Sequence, residues 1–325
     1  TGAAWADADT GSGGQLEEIV VTARKVAENI QETPISITAF SSATIDKLGM
    51  KDMTDIAMRA PGLNYGNFGD TKLSPTSLRG VVSSAGSAGT DPAVGVYVDE
   101  VFIGQGADAP LDLYDIERVE ILRGPQGTLY GRNTIGGVIN LTTKAPTDQL
   151  NASAEVTYGN YNQLRVGGLI SGPLVGDTLK GKLSYVYDDR DGTSDNVWLH
   201  IPVNDKHHWT TRGQLLFTPT DNVSLTVTGD YFKIDQHPLV FESLGYNESA
   251  LLPQLLDLFD LPRNEHPYDR KVYANQESSE TLEAWSGAAD LKIKFGDAEF
   301  TSITAYRKHE YFSRTDTDRS PIDMA

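Results

Sequence analysis

The sequence contains no cysteine. That excludes a disulfide scaffold, thiolate metal sites and thiol redox chemistry, and it suits an envelope protein with nothing to lose to oxidation. Nor is there a run of about 18 apolar residues, so no transmembrane helix is encoded and a membrane-spanning reading must rest on strands. Basic residues are the scarcer charge, 27 Lys and Arg against 45 Asp and Glu, for a net charge of −18. With no Lys/Arg-rich block to reverse it locally, this charge repels phosphate backbones and argues against a nucleic-acid partner. P-loop, GxSxG and HExxH words are missing too, which leaves an enzymatic reading without catalytic residues and gives no reason to expect a cofactor. Asp188, Asp189, Asp191 and Asp195, and likewise Asp316 and Asp318, lack the glycine and terminal glutamate of a calcium loop and are expected to be solvated loop acids. His207 and His208 are adjacent and would point to opposite faces of a strand, so no metal site is expected there.

What the sequence does have is glycine and alternation. A chain of 325 residues is long enough for two domains of ordinary size. Its pivot is the stretch from Glu117 to Lys144, ERVEILRGPQGTLYGRNTIGGVINLTTK. The ends are β-prone through Val119, Ile121, Val138, Ile139 and Leu141, whereas the middle holds Gly124, Gly127, Gly131, Gly136 and Gly137 and must turn tightly. Arg118, Arg123 and Arg132 add fixed charge to it.

Before the pivot, Ala4-Trp5-Ala6 fits the small-x-small pattern of a signal-peptide cleavage site, and residues 7–16 are polar, glycine-rich and expected to be a disordered tether. Ile19, Val20 and Val21 then form a short β-prone run standing alone, a strand waiting for a partner sheet. PISITAF from Pro34 reads as a strand, and Ser41 or Ser42 caps a helix through Leu48 that Gly49 ends. In KDMTDIAMRAPG, Met53, Ile56, Ala57 and Ala60 make one apolar helical face that Pro61-Gly62 terminate. SLRGV and AVGVYVDEVFIG add strands on either side of a Ser/Gly-rich loop at 83–90.

After Lys144 the pattern becomes period-two. Ala154, Val156 and Tyr158 alternate with polar residues, as do Leu183, Tyr185 and Tyr187, then Val223, Leu225 and Val227, then Leu291, Ile293 and Phe295. Seven such strands are expected after Asn151. Turns near 172–178, 218–222 and 296–298 are short while connections at about 188–208 and 235–283 are long, with 159–162 a short exception. One greasy face and one wet face suit either an outer-membrane barrel or a soluble sandwich, and the unequal ends are those of the barrel. Tyr158, Tyr187, Trp209, Tyr231 and Tyr306 would suit an interfacial girdle. In the longest connection Leu251, Leu252, Leu255, Leu256 and Phe259 could line one side of a short helix, either as a lid contact for an apolar ligand or as packing for the loop itself.

The words SLRG, VYVDEV, DIERVEILRGPQG, RGPQGTLYGRN and GGVINL, in this order and spacing, resemble the plug domain of TonB-dependent outer-membrane receptors. The resemblance implies an α+β plug domain followed by antiparallel transmembrane β-barrel strands, an incomplete part of a barrel of about 22 strands. It implies a leader at 1–16 (1–6 a signal-peptide remnant), a TonB box at 17–24, a plug at 30–146 and the N-terminal portion of the barrel at 147–325. Ile19, Val20, Val21, Thr22 and Ala23 would bind TonB, and Arg79, Gly80, Arg123, Gly124, Gly127, Tyr130, Gly131, Arg132, Gly136 and Gly137 carry the plug motif. Leu251, Leu255, Leu256 and Phe259 would form part of a ligand loop. The implied partners are TonB with its inner-membrane energising complex, outer-membrane lipid, and a small-molecule ligand such as a ferric siderophore, vitamin, sugar or aromatic compound. The Leu-rich loop favours an uncharged or weakly charged, partly apolar ligand over an anionic siderophore. A plug of this size needs far more wall than seven strands supply, so the chain is expected to be a piece of a longer protein. The alternative is a non-transporting binding or scaffold protein made of a soluble α/β domain and a β-sandwich.

Overall fold

The computed structural model describes residues 20–21, 28–29, 35–65, 76–82, 91–104, 112–238, 249–263, 266, 268–316 and 320–322. In chain order its elements begin with β1 Val20–Val21, β2 Glu28–Asn29, β3 Ile37–Ser41, α1 Ser42–Lys47, α2 Met53–Arg59, β4 Leu63–Tyr65 and β5 Thr76–Leu78. Next come β6 Val94–Val98, β7 Val101–Ile103, β8 Ile116–Arg123, α3 Gly127–Tyr130 and β9 Gly137–Thr143. The remainder is β10 Asn151–Tyr158, β11 Leu164–Val175, β12 Leu179–Arg190, β13 Ser194–Asn196, β14 Ile201–Val203, β15 Lys206–Thr220, β16 Val223–Gln236, α4 Leu251–Leu258, β17 Lys271–Val272, β18 Ser279–Phe295 and β19 Ala298–Arg314. The tether at 7–16 and the loop at 83–90 lie outside the described residues.

The first half closes around a five-stranded sheet of order β3-β8-β9-β6-β7, with β6 and β9 parallel and the other neighbours antiparallel. Local sequence explains its helices. Ser41 Oγ accepts the Thr44 N–H at 3.3 Å to start α1, and Gly49 takes φ +63° to end it. Asp52 Oδ1 accepts the N–H groups of Thr54 and Asp55 at 2.9 and 3.2 Å to start α2. Ile45, Met53 and Ile56 from these helices bury against Val119, Ile121, Ile139 and Leu141 of the sheet in one apolar core. The glycine-rich middle of the pivot does more than turn: it includes the short helix α3. At Gly137 no other residue fits, because φ is +145° and a Cβ would lie 2.2 Å from the Leu122 carbonyl oxygen.

The second half is a seven-stranded antiparallel sheet of order β10-β11-β12-β15-β16-β18-β19, the number of strands that the alternation indicates. Its two faces differ as that alternation predicts. On β12, Lys182, Ser184 and Asp188 are buried on the face toward the first half, while Leu183 and Tyr185 are exposed on the other. The outward face carries a row of aromatics: Tyr185 and Trp209 at 6.2 Å, Trp209 and Tyr231 at 4.8 Å, Trp285 and Tyr306 at 5.2 Å between ring centres. On the long-loop side of this row, outward residues turn charged, in the pairs Lys233–Glu283 at 2.7 Å and Lys308–Glu310 at 2.6 Å. Trp285 to Phe295 on β18 is about ten residues, roughly 33 Å of strand at about 3.3 Å each. At a tilt of about 40° that covers roughly 25 Å of membrane normal, the height of an outer-membrane apolar band. Tyr187 lies in register with Trp209 of the row and packs edge-on against His207 at 5.8 Å, and Tyr158 is exposed at the end of β10.

One expectation gains detail and another needs correction. Besides the helix expected in the longest connection, which is α4, the long connections contain β13, β14 and β17, joined in a small sheet of order β14-β13-β17. Runs of two or three strand residues are too short for a period to show in sequence. The acids, by contrast, are not all solvated. Asp188 sits on β12, buried between Arg165 at 3.6 Å and Lys206 at 3.0 Å, because the strand continues through Arg190. Asp316 is also buried, its carboxylate accepting the Gln276 N–H at 3.4 Å, whereas Asp318 lies outside the described residues. Asp191 fits the expectation of a turn residue, tied to Asn162 at 2.6 Å.

Candidate functional site

Of the five residues expected to bind TonB, the backbone of Val20 and Val21 is described, while Ile19, Thr22 and Ala23 lie outside the described residues. Val20 and Val21 pair antiparallel with Asn29 and Glu28, so this strand already has a two-residue partner within the chain.

The expected motif residues converge on one end of the first sheet. Arg123 donates its backbone N–H to the Ser36 carbonyl at 2.9 Å and its Nε to the Pro61 carbonyl at 3.1 Å. Arg79 Nη2 reaches Ser36 Oγ at 2.9 Å, while its backbone N–H donates to the Gly62 carbonyl at 2.7 Å. Burial and then the neighbouring Arg79 hold the Arg123 guanidinium below its ordinary pKa. Gly124 donates to Gly136 at 3.1 Å and Gly131 caps α3 through Gly127 at 3.0 Å, so the glycines close the loop on itself. Tyr130 packs edge-on against Tyr97 at 4.9 Å, and its carbonyl accepts the Tyr97 hydroxyl. Burial, then Glu120 and Glu100, push the Tyr130 phenol up. Gly80 lies in the turn after Arg79 with φ +78°, and Arg132 stays at the surface, 4.0 Å from Asp91.

Sequence reasoning missed the contact between the two halves. Asp112 meets Arg165 of β11 at 2.5 Å, and Asp115 meets Lys182 of β12 at 2.8 Å and Arg212 of β15 at 3.6 Å. All five side chains are at least nine-tenths buried. Burial pushes the Asp112 carboxyl above its ordinary value, against the pull of Arg165. Beside these, Lys51 pairs with Glu155, Asp52 with Lys206 at 3.6 Å, and Gln214 Nε2 donates to Thr143 Oγ1 at 2.9 Å. The Tyr114 ring lies so close to Gly167 that a Cβ there would sit 3.0 Å from it. The available signal was the polar phase of the alternation, in which Lys182, Arg212 and Gln214 share a parity; the acids that answer them lie on an irregular segment with no period.

The four ligand-loop residues do not make one surface. Leu256 is fully buried and Leu255 half-buried, whereas Leu251 and Phe259 are exposed, together with Leu258. The loops around them are tied together: Arg270 lies over the Tyr161 ring at 5.8 Å, and Lys271–Val272 pairs in parallel with β13. Among the described residues no cluster of His, Asp or Glu could hold a metal ion.

Comparison with known proteins agrees with this architecture. The sequence model of the TonB-dependent receptor plug domain matches residues 29–138. The pesticin receptor of Yersinia pestis is 31% identical over 191 residues, covering 59% of this chain and 28% of that protein. The ferripyoverdine receptor of Pseudomonas aeruginosa is 27% identical over 301 residues, covering 87% of this chain and 34% of that receptor. Among solved structures, the ferric yersiniabactin uptake receptor of Yersinia pestis superposes with a TM-score of 0.73 at 24% identity, over 85% of this chain and 41% of that one. The chain thus spans well under half the length of the relatives it matches. Residues 29–138 match the plug domain of TonB-dependent receptors, and the chain as a whole is similar to the plug and the N-terminal barrel strands of such outer-membrane receptors.

Proposed function

We propose that this chain is the gated part of a receptor that takes up a scarce or bulky ligand across the bacterial outer membrane, with the energy supplied through TonB and its inner-membrane complex. One observation carries the reading: the plug is held in the bore by buried ion pairs, Asp112–Arg165 and Asp115–Lys182. Parting such a pair without new partners costs about 3–5 kcal/mol, so thermal motion alone opens the path rarely. Work has to come from a partner, and residues 17–24 are where we place its grip. Ile19 to Ala23 would be captured by strand addition, which uses backbone N–H and C=O groups and tolerates most side chains. The short ladder to Glu28 and Asn29 offers little resistance to such an exchange.

The ligand would bind between the long-connection loops and the plug surface beneath them. The relatives' names, a ferripyoverdine receptor and a ferric yersiniabactin uptake receptor, support an iron chelate. The exposed Leu251, Leu258 and Phe259 of the α4 region support a ligand with some apolar surface.

The test is Val21→Pro in the complete receptor. Proline removes a ladder donor and fixes φ near −65°. Energised uptake should fall to background with abundance and ligand binding unchanged, while Val21→Ala keeps most uptake. Normal transport by Val21→Pro would show that coupling occurs elsewhere. Growth of a deletion strain on panels of iron and carbon sources identifies the ligand.

A further inference from the structure

On the long-connection side the seven-stranded sheet does not end in separate loops. Four successive connections meet there: 159–163 between β10 and β11, 191–205 between β12 and β15, 237–278 between β16 and β18, and the residues after β19. Each is bonded to the next. The Asp191 N–H donates to the Tyr161 carbonyl at 2.9 Å, joining the first to the second. Asp195 and Val197 donate to the carbonyls of Arg270 and Val272 at 2.8 and 2.9 Å, which makes β13 and β17 a parallel pair and joins the second to the third. Asn275 donates to the Ser320 carbonyl at 3.0 Å, and the Gln276 N–H to the Asp316 carboxylate at 3.4 Å, joining the third to the fourth.

The assembly has an inside. Connections normally run over the surface and vary independently, yet Asn196, Val203, Val272, Ala274, Asp316 and Ser320 are all at least nine-tenths buried. The Asn196 amide donates to the Ala274 carbonyl at 3.0 Å and accepts the N–H groups of Trp198 and Leu199 at 3.1 Å each. Backbone conformation gives an independent sign. Tyr161, His200, Tyr268 and Arg270 have φ between +57° and +71°, a region that side chains of this size occupy only where the surroundings over-determine it. Parting any two of the connections would strand a buried polar group and release a strained turn, so they hold or open together. We propose that the four connections are one cooperative body, a preformed side of the ligand cup that keeps its shape when ligand binds, so that any closure over the ligand comes from other parts of the receptor. The inference rests on the uptake reading for its role but not for its mechanics.

Amide exchange of the complete receptor in detergent tests the mechanics. Val272→Asp puts a charge into the shared interior. Exchange should then quicken at least about tenfold in 159–163, 191–205, 268–278, 315–316 and 320–322 alike, while β10 to β12 keep their rates. Loosening confined to 194–197 and 271–272 would mean independent loops and overturn the proposal. If the aspartate variant does not assemble, Val272→Ala should show a smaller rise over the same segments, and a rise in its own connection alone is equally fatal.

A staple tests the role. Asp195 and Lys271 are exposed Cα partners across the parallel pair, and neighbouring strands lie about 4.8 Å apart, within the span of a disulfide. Because residues 1–325 contain no cysteine, Asp195→Cys with Lys271→Cys adds the only thiols to this part of the receptor. Normal transport by Val21→Pro would sink the uptake reading and leave the exchange result standing. On the source that the deletion panel identifies, cells carrying the stapled receptor should grow equally well with the disulfide oxidised or reduced. Growth lost on oxidation and regained on reduction would show that the connections must part for uptake, and would overturn the proposal.

Discussion

In the plug, β6 is buried at every position from Val94 to Val98, because its sheet has protein on both faces. In the wall, β10 has no buried residue, and its apolar positions, such as Val156, are the exposed ones. One half is therefore an ordinary protein core, and the other is a partition between lipid and a polar bore. The difference teaches where the coupling between them has to lie. Neither half has much apolar surface to spare for the other: the plug uses its own internally, and the wall turns most of its own outward, keeping a small bore-facing cluster of Phe232, Ile234, Leu282 and Ala284. The two consequently meet through charge, and charge held in a buried seam is strong while intact and costly to open.

The largest effect is expected at that seam. Asp115→Ala in the complete receptor leaves Lys182 and Arg212 buried without their carboxylate, and should cost about 3–5 kcal/mol. Denaturant unfolding in detergent, read with amide exchange of β8 and β9, should show the plug loosening while the wall strands stay protected. Asp115→Asn, which keeps a hydrogen-bond acceptor, should cost less. A loss below about 1 kcal/mol would mean that the pairs behave like solvated surface pairs, and the contrast between the halves would fail.

A second test compares adjacent residues on the wall. Leu225 lies in register with Phe217 and Leu291, near the middle of the apolar band, while Thr226 faces the bore. Leu225→Lys should cost about 2–4 kcal/mol, and Thr226→Lys much less. Folding into lipid vesicles, followed by the heat-dependent gel shift of intact barrels, would check it. Equal costs would mean the lipid-facing side has been assigned wrongly.

How much of this was legible in the sequence depends on the length of each pattern. The seven wall strands could be read because each repeats its period over many residues. The helices α1 and α2 could be read because Ser41 and Gly49 mark the ends of the first, and the apolar face of Met53, Ile56, Ala57 and Ala60, stopped by Pro61-Gly62, marks the second. β13, β14 and β17 could not, since two or three residues contain no period. Asp112 and Asp115 were silent for another reason: their role depends on Arg165, Lys182 and Arg212, which are more than 50 positions away in sequence. The Leu-rich loop was half legible. Its helix exists, but which leucine packs and which faces out is decided by tertiary contacts, and Leu256 went inward.

The smallest effect belongs to the loops, where neither half sets the rules. His237 follows β16 and joins two separate connections. Its backbone N–H and Nδ1 face the two carboxylate oxygens of Asp205 at 2.6 Å each, and Nε2 faces Glu277 Oε1 at 3.0 Å. Only the protonated ring can donate to both acids. Burial alone would lower its pKa, but Asp205 and Glu277 outweigh burial and hold it above the ordinary value. The raised value fixes the sign. The clamp contributes fully below the unfolded pKa of about 6.5, and the contribution is lost as pH rises through the higher folded value. Because His237 and Glu277 are partly exposed, the gain should stay below about 1 kcal/mol. Amide exchange at 201–205 and 271–278 should therefore be slower at about pH 5.5 than at about pH 8.5, after correction for the intrinsic rate, and His237→Gln should flatten the difference. Looser loops in acid would show that the ring binds in its neutral form.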